Sequence, residues 1–136
     1  MKIEDQVCSL ELAKQLKELG VNQDSYFVWF FPVYQKESFE WEIKPYTEVF
    51  NPDNNNPHVV SAFTVSELGK LLPGCITFHD KRYYLAASCD LNVYYQTMDI
   101  KEEIWPSTLD YEIEADSRAA MLIHLIENKI WVPNES

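Results

Sequence analysis

Leu12, Ala13, Leu16 and Leu19 recur three to four residues apart, with Glu11, Lys14, Lys17 and Glu18 between them. That spacing predicts an amphipathic helix with one buried stripe. Ser9 offers its hydroxyl to a free amide of the first turn. Gly20 supplies a positive-φ residue at the far end, behind which Val21 can fold back. From Ser25 the period drops to two. The run Tyr26-Phe27-Val28-Trp29-Phe30-Phe31 is apolar on both faces and predicts a buried strand that Pro32 closes. Phe39, Trp41 and Ile43 then alternate with Ser38, Glu40, Glu42 and Lys44, as in a strand with one wet face. Residues 51–57 (Asn-Pro-Asp-Asn-Asn-Asn-Pro) read as a loop, because each favours turns or cannot sustain a ladder.

A second helix begins at Thr64. Thr64-Val65-Ser66-Glu67 fits a capping box, and Val65, Leu68, Leu71 and Leu72 give its stripe before Pro73-Gly74 stops it. Three short β-rich runs follow, at 75–78, 83–88 and 91–97, the first two joined around Asp80-Lys81, and they predict a meander. In the last helix Ala115, Ala119, Leu122 and Ile126 share one face, which Met121, Ile123 and Leu125 widen. Lys129 suits the negative end of its dipole, and Pro133 bars continuation. The pattern predicts a single α+β domain over 1–136, with an antiparallel sheet of about five strands and three helices. The two outer helices are expected on one face of that sheet.

Charge changes the picture next. The chain of 136 residues holds 22 Asp and Glu against 11 Lys and Arg, a net charge of −11. Such a body repels nucleic acid and anionic lipid, since both are bound through clustered Lys and Arg. Direct nucleic-acid and membrane partners are therefore excluded, and a basic protein is the partner the charge favours. The 14% aromatic content separates the chain from charged disordered sequences. Acids stand near the start, where a secretion signal needs bases. The longest near-apolar run, 26–34, is too short to cross a bilayer. The expectation is a cytoplasmic protein with reduced thiols.

Candidate chemistry is sparse. Cys8, Cys75 and Cys89 form no CxxC pair, and His58, His79 and His124 are scattered, so no metal is expected. Cys75 or Cys89 with His79 are the combinations that can be written for a nucleophile and base, but neither lies in a catalytic signature, and buried inert thiols are expected. The three glycines, Gly20, Gly69 and Gly74, make no phosphate-binding loop, so no cofactor is expected. One stretch is conspicuous. Residues 99–116 hold seven acids and one base, with Trp105 and Tyr111 embedded. Part of that charge suits the start of the last helix. Asp99, Glu102, Glu103, Trp105, Asp110, Tyr111 and Glu112 are the candidate docking residues, acids to steer a basic partner and aromatics to anchor it.

Three segments carry a resemblance. They are Val7-Cys8-Ser9-Leu10-Glu11-Leu12-Ala13-Lys14-Gln15-Leu16-Lys17-Glu18-Leu19-Gly20-Val21 with Gln23-Asp24-Ser25, then Phe63-Thr64-Val65-Ser66-Glu67-Leu68-Gly69-Lys70-Leu71-Leu72-Pro73, and the closing helix from Glu114-Ala115-Asp116-Ser117 to Asn128-Lys129. In that order they resemble a family of small, acidic, uncharacterised proteins from bacterial and phage genomes. The resemblance implies a phage or mobile-element setting and supplies no catalytic residue. Three function classes stand at this point: an accessory protein acting by protein–protein interaction, an acidic mimic of nucleic acid that inhibits a DNA- or RNA-binding protein, and a small enzyme.

Overall fold

A computed structural model describes residues 2–31, 40–48, 57–88, 92–105, 111 and 113–131. The first helix, α1 (Leu10–Glu18), starts where Ser9 Oγ accepts the Leu12 amide at 3.4 Å. Gly20, at φ +86°, ends it. There the Gly20 and Val21 amides donate back to Lys17 and Leu16 at 3.0 and 3.1 Å. Helix α2 (Val65–Leu71) carries the full capping box. Thr64 Oγ1 accepts the Glu67 amide at 3.2 Å and Glu67 Oε1 accepts the Thr64 amide at 3.0 Å. The other Glu67 oxygen accepts the Tyr26 amide at 3.0 Å, which ties α2 to the strand that follows α1.

That strand is β1 (Phe27–Phe30). It lies between β2 (Glu42–Pro45) and β3 (Val59–Ser61) in an antiparallel sheet, with Trp29 opposite Ile43 and Val60. Alternation sends Trp29 to the main core, where its indole N–H donates to Cys8 O at 3.0 Å. Val28 and Phe30 meet Val59 in a small cluster of their own. The strand is thus apolar on both faces, although Val28 is its one fully buried residue and Tyr26 just before it lies exposed.

Strands β4 (Cys75–Phe78), β5 (Lys81–Ala87), β6 (Val93–Gln96) and β7 (Glu103–Ile104) form the expected meander. His79 and Asp80 make the first turn, with φ of 51° and 64°, the two positive values of a type I′ hairpin turn. The described strands divide between two antiparallel sheets of three and four rather than one of about five. Every described strand pair forms on one side of α2, so no pairing has to close a loop across that helix.

The outer helices do not share one sheet face. Helix α1 packs on β3, whereas α3 (Glu114–Glu127) packs on α1, α2 and β6. In α3, eight residues are buried, among them Ala119, Met121, Leu122 and Leu125, so its apolar surface spans more than one stripe. Ser117 fixes it to the sheet by accepting the buried Val93 amide at 2.9 Å. Its end is closed by Lys129 in the left-handed region (φ 56°), with Ile130 and Lys129 amides returning to Leu125 and Ile126. One core cluster draws on all three helices, β3, β4, β5 and β6. At its centre Tyr95, with no exposed surface, donates its hydroxyl to Pro73 O at 2.7 Å.

Candidate functional site

The β6–β7 hairpin gathers four of the seven candidate docking residues. Its connection, 97–102, is closed by Thr97 N–H to Glu102 O and Ile100 N–H to Thr97 O, both at 3.0 Å. Asp99 turns its carboxylate back over the loop. Oδ1 accepts the Thr97 hydroxyl at 2.5 Å and the Lys101 amide at 3.2 Å. Those donors, the hydroxyl first, hold the carboxyl below the ordinary aspartate value. The Glu102 amide donates to Thr97 Oγ1 at 3.3 Å, so one threonine and one aspartate brace the whole connection.

Around this frame Glu102 and Glu103 are partnered, while two apolar side chains stand exposed. Lys81, at the start of β5, donates to Glu102 at 2.6 Å, and that partner raises its pKa. Glu103 accepts the Trp105 indole N–H at 2.6 Å. The Trp105 ring stacks on Tyr94 at 4.3 Å and 14°, which leaves it half-buried. By contrast Met98 is 79% and Ile100 66% exposed. Ile100 also has φ +60°, a conformation in which a β-branched residue is a genuine outlier. Met98 and Ile100 were not among the candidates drawn from the sequence. Nothing marks them there, because residues 97–101 contain no glycine, asparagine or proline to signal a turn.

Of the remaining candidates, Tyr111 lies elsewhere. It packs on the main core and lines a groove of about 320 Å³ between α1 and α3. Asp110 and Glu112 lie outside the described residues. The acids that follow are structural. Glu114 pairs with Arg118 at 3.6 Å, and Asp116 accepts the Ser9 amide at 2.6 Å, clamping the start of α3 to the start of α1.

The α1–α3 groove holds an acid and a base that burial shifts in opposite directions. Burial lifts the Asp116 carboxyl against the pull of the Ser9 amide. Burial also depresses the His124 imidazole, opposed by Glu127. Glu11 lines the same groove. The signs differ. The His124 value is lower folded than unfolded, so the fold loses stability as pH drops through the ordinary histidine value of 6.5. Asp116 works oppositely, and its burial cost fades as pH falls through its raised value. His124→Gln is expected to remove part of the fall in thermal midpoint between pH 7 and the carboxylate range. An unchanged acid-side slope in scanning calorimetry would contradict the burial of His124.

No group of three or more His, Cys, Asp or Glu able to hold a metal occurs among the described residues. Cys8 is buried and its thiol is pushed up to about 12, by burial above all, which makes it inert. Cys75 is exposed on β4, contrary to the expectation of a core thiol, because alternation places Ile76 inward and Cys75 outward. Cys89 lies outside the described residues. His79 stands in the β4–β5 turn with its ring edge-on to Phe78 at 4.0 Å. No helix of the described residues is long and apolar enough to cross a membrane. No protein-family model, curated protein or solved structure matches the chain.

Proposed function

We propose that this is an accessory protein acting by protein–protein interaction, and that it presents the β6–β7 hairpin to a basic partner. The observation that carries the reading is the hairpin tip. Two of the four exposed large apolar side chains of the described residues, Met98 and Ile100, stand together there on a braced loop. Exposed apolar groups on a rigid frame bind at low entropic cost. Asp99 and Glu103 supply acidic charge beside the Lys81–Glu102 pair, and Trp105, already fixed on Tyr94, supplies an aromatic edge. A phage or mobile-element setting fits an accessory role of this kind.

A photo-cross-linking amino acid at position 98, with one at Glu18 on the exposed side of α1 as control, tests the reading. The expected result is one basic protein joined from 98, absent from 18, and displaced by unlabelled protein. With that partner purified, Glu102→Gln with Glu103→Gln is expected to slow association and weaken its salt dependence, since rim charges steer encounter. Trp105→Ala is expected to act on dissociation, accelerating it roughly tenfold or more. Equal cross-links from both positions, or association indifferent to salt, would refute the hairpin as the docking element.

A further inference from the structure

Among the described residues four strands form the edges of the two sheets, and three of them are blocked. On β3, whose 59 and 61 positions face away from β1, Lys17 Nζ donates to Val59 O at 2.7 Å and Gln23 Oε1 accepts the Ser61 amide at 2.8 Å. Strand β2 carries the Glu42–Lys44 pair and Pro45. Strand β7 is two residues long and begins with Glu103. Charge, proline, shortness and side-chain cover are the means by which edges avoid pairing with other chains.

Among the described residues, strand β4 has no charge, no proline and no side-chain bond on its outer edge. Its sequence is Cys75-Ile76-Thr77-Phe78, uncharged and rich in strand formers. The Leu85 amide donates to Gly74 O at 3.0 Å, in the register that sets Ile76 opposite Tyr83 and Phe78 opposite Lys81. Bonded pairs alternate along an antiparallel ladder, so 74, 76 and 78 bond to β5. Cys75 and Thr77 therefore aim their N–H and C=O groups outward, and both residues are exposed.

We infer that β4 is the contact between two copies of this chain, joined edge to edge about a two-fold axis at Ile76. In that register Cys75 of each copy faces Thr77 of the other, and all four outward groups find partners with none left over. Charge leaves this strip open to self-association. Two bodies of −11 repel, but β4 has no charge and β5 behind it carries Lys81 and Arg82 and no acid. The side chains flanking the new seam on the outer face, Cys75 and Thr77, are small enough to sit side by side. A seam of two four-residue strands is at the small end of specific interfaces, so the dimer dissociates on dilution. This contact is independent of the β6–β7 hairpin.

Sedimentation velocity over a concentration series, under reducing conditions so that Cys75 cannot cross-link copies, is the test. The wild type is expected to approach twice the 16.0 kDa chain mass as concentration rises. Amide exchange at Cys75 and Thr77 should slow in step. Thr77→Pro removes one outward N–H and no bond to β5, so it is expected to stay monomeric with unchanged circular dichroism. If proline perturbs the strand, Thr77→Lys reads the same loss through edge charge. A wild type monomeric throughout overturns the inference, as does a dimer that survives both substitutions. Protection of these amides only on adding a different protein assigns the edge to a foreign strand and overturns it equally.

Discussion

Leu122→Ala is expected to lower the free energy of unfolding by about 2–5 kcal/mol, the usual cost of truncating a buried leucine plus the cavity it leaves. Leu122 has no exposed surface and sits on α3, the element against which α1, α2 and β6 all pack. Leu122 belongs to the main core cluster, and two of the elements that pack on α3 are also held elsewhere, α1 on β3 and β6 between β5 and β7, which limits collapse into a cavity. Small domains hold about 5–15 kcal/mol in all, so the variant is expected to be marginal or unfolded at physiological temperature. Ile126→Ala, one turn on and half-buried, serves as the control and is expected to cost far less. Urea titration of both checks this. A Leu122 variant with a midpoint close to the Ile126 variant would mean that α3 is not the centre of the core.

Local signals were legible in the sequence wherever the cause is local. The caps at Ser9 and Thr64, the stop at Gly20 and the return of Val21 need only neighbours within one turn, and all form. The widened apolar face of α3, which makes it more deeply buried than α1, was also legible. The division into two sheets was not. Alternation says which face of a strand is apolar, but not which strand lies beside it, and that choice is made by long-range pairing. Asp116 shows the same limit. It reads as one acid in an acidic stretch, while its partner, the Ser9 amide, is 107 residues away. The seven candidate docking residues form one run in the sequence, whereas the fold puts Asp99, Glu102, Glu103 and Trp105 on a hairpin and Tyr111 in the α1–α3 groove.

Ile100→Asn is expected to move stability and binding in opposite directions. A β-branched residue in the left-handed region is strained by about 1–2 kcal/mol, whereas asparagine visits that region readily. At 66% exposure the isoleucine gains little from burial in return. Relief of the strain is expected to raise the thermal midpoint by roughly 2–8 °C for about 1 kcal/mol. The loop itself is held by Thr97 and Asp99, which the substitution leaves in place. Binding to the protein joined at position 98 is expected to fall by about tenfold or more, because a large aliphatic side chain buried on association contributes about 1.5–3 kcal/mol. The turn closed by the Ile100 amide on Thr97 O fixes the left-handed backbone, and an isoleucine kept there at a cost fits the docking role proposed above. A variant that loses stability would place Ile100 in the fold, and one that gains stability while binding unchanged would remove it from the docking surface.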